Sequence, residues 1–161
     1  MSRIAIEYVC RLSTICDNSG PVIKTHDLYA PDLHRNLRYI FLFSDPLDSA
    51  LSVANMGKVH GIDWIKRHVC HLKGKGSTDN IYHEDVLNYE EQLRSWGEAQ
   101  DTLVIHYDDL WSSEEELSEF VGFKIKLPGR KVRASKALPA DYNKALFERL
   151  KRAEKALREK K

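Results

Sequence analysis

Five consecutive large apolar residues, Tyr39-Ile40-Phe41-Leu42-Phe43, run directly into Ser44-Asp45-Pro46. A run with no polar alternation predicts a strand covered on both faces, as in the middle of a parallel sheet, so residues 37–43 read as a central strand. Asp45 then offers a cap and Pro46 a first helical position, and Leu47, Ala50, Leu51 and Ala54 follow at helical spacings up to a stop at Gly57 or Gly61. A strand that hands its chain to a helix is the building unit of an α/β domain.

The remainder of the chain repeats that alternation. Ile4, Tyr8, Leu12, Ile15 and Cys16 form a helical stripe over residues 3–16, which Asp17-Asn18-Ser19-Gly20-Pro21 ends before a short strand, Val22-Ile23-Lys24. Helices are expected over 63–73 and 84–100, the second presenting Val86, Tyr89, Leu93 and Trp96 on one face, with Lys73-Gly74-Lys75-Gly76-Ser77 as a flexible loop between them. Leu103-Val104-Ile105-His106-Tyr107 reads as another buried strand. Ser113 and Glu116 have capping-box spacing, opening a helix that buries Leu117, Phe120 and Val121 before Gly122. A last helix from about Pro139 carries Leu146, Leu150, Ala153 and Leu157 on one side, with Glu148 and Arg152, and Glu154 and Arg158, in favourable i, i+4 order. The expectation is a three-layer α/β domain: a central, mainly parallel sheet flanked by helices, with a long C-terminal helix. At 161 residues the chain is long enough for one core, so it reads as a single domain over 1–161.

Charge is distributed unevenly. Residues 1–123 carry 11 Lys or Arg against 20 Asp or Glu, whereas 124–161 carry 14 against 4, a division that the formal net charge of +1 conceals. Such a basic loop and helix from about residue 124 either contacts an anionic ligand or solvates an exposed surface, and the second is the default. Its cations are interleaved with Glu and lack aromatic partners, which argues against nucleic acid. No apolar stretch approaches a membrane span, and residues 1–9 lack the pattern of a secretory signal, so the expected location is cytoplasmic and no membrane partner is implied. Three cysteines, Cys10, Cys16 and Cys70, cannot all pair within one chain and read as reduced core filler. His60, His68, Cys70 and His71 lie close in sequence, but no second Cys pair completes a structural zinc set, and no metal is expected. Trp64, Trp96 and Trp111 read as packing anchors.

Two strand-to-helix junctions carry chemistry. Lys24 and His26, two residues apart at a strand end, point to one side, so that one can hold an anion while the other removes a proton. The junction from Ser44 to Ser52 combines first-turn N–H groups with hydroxyls, a ready anion site, although Asp45 and Asp48 oppose a phosphate there and an ordinary capped helix start explains the same residues. Strand carboxyl ends in α/β sheets open onto a shared crevice, which is where a ligand is expected.

Taken in order, Val22-Ile23-Lys24-Thr25-His26, the strand Tyr39 to Phe43 with Asp45-Pro46-Leu47-Asp48-Ser49-Ala50-Leu51-Ser52, then Leu103 to Leu110, then Phe120-Val121-Gly122-Phe123, resemble the sulfotransferase family of P-loop-like α/β enzymes. The resemblance implies transfer of a sulfuryl group from 3′-phosphoadenosine 5′-phosphosulfate (PAPS), as co-substrate, to a hydroxyl or amine of a small molecule or glycan. His26 matches the family's general base and Lys24 the lysine that steadies the transferring group. Ser52 matches a serine on the donor's 3′-phosphate, Tyr107 a tyrosine near adenine, and Arg130 and Lys131 a basic pair that closes on the same phosphate.

The chain also departs from the family. Ser44 stands where an Arg is usual, and the 5′-phosphosulfate loop has only one echo, Arg11-Leu12-Ser13-Thr14. The chain is thus expected to begin downstream of that loop. The alternative reading is a non-catalytic, degenerate module of the same fold, or one subunit of a split enzyme, acting through protein contacts.

Overall fold

In the computed structural model, residues 6–8, 22–29, 37–100, 102–130 and 137–160 are described. Among them the chain is α/β, with four short strands, β1 (Ile6–Tyr8), β2 (Val22–Lys24), β3 (Tyr39–Phe43) and β4 (Thr102–His106). The five α-helices are α1 (Pro46–His60), α2 (Ile62–His71), α3 (Tyr89–Gly97), α4 (Glu114–Val121) and α5 (Lys144–Arg158). β1 pairs with β2 and β3 with β4, both in parallel, with Tyr8 opposite Lys24 and Phe43 opposite His106. Parallel pairing demands a crossover, and α1, α2 and α3 supply it between β3 and β4.

The helical stripe expected over 3–16 fails at Ile6–Tyr8, which is strand. Three residues cannot distinguish the two periods, and pairing with β2 settles the choice. The remainder of that segment lies outside the described residues, as does Lys131.

β3 is strand as expected, but its two faces differ. Phe41 and Phe43 pack against Trp96 of α3 and Leu157 of α5, whereas Ile40 and Leu42 on the opposite face are 42% and 45% exposed. The apolar run therefore does not mark a strand buried on both sides.

α1 begins as the sequence predicts. The Asp45 carboxylate accepts from the N–H groups of Leu47 at 2.9 Å and Asp48 at 3.0 Å, and Pro46 has no N–H to satisfy. Gly61, at φ 85°, ends α1 and starts α2, so the two helices fold back as a hairpin. Residues 84–88 form turns instead of the first part of α3. Val86 there has no exposed surface, so its burial comes from tertiary packing and not from a helix face. The Ser113 capping box does not form, because Ser113 Oγ donates instead to the Asp109 carbonyl at 3.0 Å. Gly122, at φ 82°, ends α4 as expected.

The main core joins Ala50 and Val53 of α1, Ile65 and Val69 of α2, Ile81, Val86 and Leu87 of the turns, and Leu146, Phe147 and Leu150 of α5. α5 starts at Lys144, later than expected, where the Asn143 side chain accepts from Leu146 N–H at 3.1 Å. Its charged residues face the acidic part of the chain. Arg149 meets Glu90 at 3.2 Å, Lys151 meets Asp45 at 3.0 Å and Arg158 meets Asp109 at 2.7 Å. The expected Glu154–Arg158 pair gives way to contacts across the fold, since Glu154 turns to His106. Part of the uneven charge of the sequence is thus matched internally, though each exposed pair contributes less than about 1 kcal/mol. Cys70 is a free thiol and exposed, so it is not core filler. No helix among the described residues is long and apolar enough to cross a membrane.

Candidate functional site

β2 ends at Lys24, and the backbone then runs along α3. Gln92 Nε2 donates to the His26 carbonyl at 3.1 Å, Trp96 Nε1 to the Asp27 carbonyl at 3.1 Å, and Tyr29 N–H to Ser95 Oγ at 2.7 Å. Tyr29, Tyr39 and Trp96 form a ring cluster with centroids 5.3–5.7 Å apart, which anchors this segment beside β3. The segment carrying His26 is therefore held at several points along its backbone.

The side chain of His26 is half-buried and meets α2. Its ring stands edge-to-face with His68 at a centroid distance of 5.0 Å and an interplanar angle of 78°. His68 in turn stacks on Trp64 at 5.0 Å and 9°, and Trp64 leans on His60 at 6.0 Å. Residues 60, 64 and 68 follow one another at four-residue intervals, so this ladder is laid out by helical geometry. Burial pushes the His26 imidazole down to about 4, helped by His68, Lys24 and His71. His68 is also lowered, by burial first and then by His71 and Lys24. Both are neutral at neutral pH, and His26 can accept a proton there.

A stability consequence follows. Above about 6.5 His26 is neutral whether folded or unfolded. As the pH falls from there toward about 4, the unfolded chain takes up a proton that the folded one refuses, and stability is lost across that window. For a half-exposed group, screened by solvent, the loss is about 1–2 kcal/mol. Urea unfolding at pH 7 and 4.5 is expected to show a smaller decline in His26→Gln than in the parent chain. An equal decline in the two proteins would remove the shift.

The second junction is already occupied from within. Two first-turn N–H groups of α1 go to Asp45, and Lys151 holds that carboxylate at 3.0 Å. Ser44 Oγ and Ser49 Oγ lie 3.0 Å apart, and the Tyr89 hydroxyl donates to the Ser44 carbonyl. Burial, then Glu154, Asp45 and Asp85, hold the Tyr89 hydroxyl far above its ordinary range, so it stays a donor. The N–H groups read from sequence as a ready anion site are thus engaged by a carboxylate of the same turn. Ser52 lies in the second turn of α1 and is half-buried.

Tyr107 and Arg130 come together at Trp111. The Tyr107 ring meets Trp111 edge-on at 5.3 Å, and the Arg130 guanidinium lies 5.5 Å from the Trp111 ring centre. Arg130 also donates to Asp108 at 3.0 Å, and Trp111 Nε1 to the Pro128 carbonyl at 2.8 Å. His26 with Lys24, and Tyr107 with Arg130, are therefore two clusters with no residue in common among the contacts described. α2 and α3 hold the first, and the approach to α4 with the 124–130 segment holds the second.

Sequence reasoning weighed His60, His68 and His71 only as metal ligands. Among the described residues no three His, Cys, Asp or Glu side chains converge as a metal-ligand group. The ladder was signalled all the same by the spacing of His60, Trp64 and His68. The buried His106–Glu154 pair had no such signal, because its partners are 48 residues apart in sequence. Compared with family models, curated proteins and solved structures, the chain matches none of them.

Proposed function

We propose that the chain is a sulfotransferase-like domain of three-layer α/β design, cytoplasmic, that transfers a sulfuryl group from PAPS to a hydroxyl or amine acceptor. The observation that carries this reading is the end of β2, where Lys24 precedes a half-buried, neutral His26 on a backbone braced by α3. His26 takes the acceptor's proton while the acceptor oxygen or nitrogen forms its bond to sulfur. The bond from sulfur to the bridging phosphate oxygen breaks, and adenosine 3′,5′-bisphosphate leaves. Lys24 counters charge on the sulfuryl oxygens. An imidazole held low is a weak base alone, and the negative charge of a bound donor raises it toward its ordinary value. Ser52, Tyr107, Arg130 and Lys131 are assigned to the nucleotide, with Trp111 backing Tyr107 and Arg130.

A second reading, the non-catalytic module or split-enzyme subunit, is favoured by one specific feature. The Asp45 carboxylate takes the N–H groups that a 3′-phosphate needs, and Asp108 takes Arg130. Titration calorimetry with adenosine 3′,5′-bisphosphate separates the two. The enzyme reading expects saturable heat, weakened in Arg130→Ala, and it is lost if no heat appears at about 1 mM ligand, an affinity limit of about 4 kcal/mol.

A further inference from the structure

We propose that the tip of the α1–α2 hairpin docks on an anionic phospholipid surface, with Val59 and Ile62 entering the headgroup region and Lys58 and Arg67 facing its negative charge. The sequence implies no membrane partner because no stretch approaches a span, but a contact with the surface needs no span. Two independent observations meet at this tip.

The first is apolar exposure. α1 buries Pro46, Ala50, Leu51 and Val53, all in its first half, and residues 58–63 are exposed without interruption. Val59 is 74% exposed, the most of any large apolar side chain among the described residues, and Ile62 and Met56 are exposed as well. Met56 and Val59, three residues apart, share a side of α1. The tip is nonetheless firmly supported. Gly57 lies so close to Ile65 that a methyl group there would collide with the Ile65 side chain, and Ile65 belongs to the main core. Neighbouring apolar side chains left open on a packed support mark a contact surface.

The second is charge. Residues 1–123 are acidic as a whole, yet between Asp48 and Asp79 they carry five Lys or Arg and one acid, Asp63. Asp63 lies 4.0 Å from Lys66, while the exposed Lys58 and Arg67 take part in no ion pair among the described residues. Arg67 is about 8 Å along α2 from Ile62, within a Debye length of about 8 Å at physiological salt, so its charge acts on a surface that the tip touches. The acidic remainder of residues 1–123 is repelled by such a surface and leaves the hairpin as the approach. Six consecutive exposed residues make a protrusion, which a bilayer accommodates without a matching pocket. Apolar side chains beside unpaired cations suit a layer that is negative at its surface and apolar beneath.

Sedimentation of the full chain with vesicles tests the proposal, using phosphatidylcholine alone and phosphatidylcholine mixed with phosphatidylglycerol. Binding is expected with the mixed vesicles only, falling as salt rises. Val59→Ser with Ile62→Ser is expected to weaken it about tenfold or more, and Lys58→Ser with Arg67→Ser likewise. Lys124→Ser with Lys126→Ser, in the other basic part of the chain, is the control and should bind as the parent does. A parent chain that stays in the supernatant with both vesicles leaves the tip to a protein partner and overturns the proposal. Binding that survives in the tip variants but is lost in the control assigns the adsorption to the C-terminal segment, which overturns it equally. Should a tip variant melt below the parent, spin-labelled lipid in bicelles of the same mixture decides with the unaltered chain. Broadened NMR amide signals over residues 56–62 support the proposal, and broadening confined to residues 124–130 overturns it. The outcome does not depend on bisphosphate binding, so it stands or falls apart from the sulfotransferase reading.

Discussion

Glu154→Ala is expected to destabilise the protein by about 1–3 kcal/mol in urea unfolding, the cost of stripping the carboxylate from beside a buried polar group. Glu154 is 6% and His106 4% exposed, with Oε1 and Nε2 3.3 Å apart. His106 Nδ1 accepts from the Asp108 N–H at 3.3 Å, which places the ring proton on Nε2, facing Glu154. The Asp108 carboxylate is further from Nδ1, at 3.8 Å, and competes poorly with its own backbone N–H. Nε2 and Oε1 are close but not aligned as a hydrogen bond, and among the described residues Nε2 makes none. Without Glu154 that buried N–H also loses the carboxylate 3.3 Å away. The double variant His106→Leu with Glu154→Leu removes both polar groups and is expected to cost much less than the single change. A Glu154→Ala protein within about 0.5 kcal/mol of the parent would show that the pair does not tie α5 to β4.

Gly74→Ala is expected to cost about 1–3 kcal/mol or more, through overpacking. A methyl at Gly74 would lie inside contact distance of the Val86 carbonyl oxygen and 2.8 Å from Val69 Cγ1. Backbone cannot give way as a side-chain tip can, and Val86 has no exposed surface to move into. The Gly74 N–H also bonds the Val69 carbonyl at 2.9 Å, holding the turn against α2. Next to it, the Leu72 carbonyl accepts from Gln92, which also bonds His26. The substitution is therefore expected to shift the His26 NMR signals as well as lower the melting temperature. Gly129→Ala, with open space around it, is the control and should stay within about 0.5 kcal/mol. Equal melting temperatures for the two variants would return residues 73–77 to the flexible loop read from sequence.

The two variants show where sequence reasoning stops. Lys73 to Ser77 look mobile because Gly and Lys dominate them, yet the turn is packed, since Val69 and Val86 close on Gly74 from separate elements. The same limit applies to α1, where the Asp45 cap and Pro46 were legible as a helix start. That Asp45 itself takes the N–H groups, with Lys151 behind it, depends on α5 lying across the junction. The basic C-terminal segment was legible as a charge imbalance, and its partners Glu90, Asp45, Asp108 and Asp109 were not.

From residue 22 on, the sequence by itself determined the alternation of strand and helix, the strands read over 22–24, 37–43 and 103–107, which form at Val22–Lys24, Tyr39–Phe43 and Thr102–His106, the start of α1 and the end of α4. These are set by apolar period, caps and glycine, which act over a few neighbouring residues. It also placed Lys24 and His26 at a strand end. Only the tertiary structure decided that Ile6–Tyr8 is strand, that β3 is exposed on one face, that His68 and Trp64 back His26, and that Arg130 meets Tyr107 at Trp111. Those contacts join residues tens of positions apart, and their energy depends on which surfaces the packed helices leave open, a quantity that no local pattern encodes.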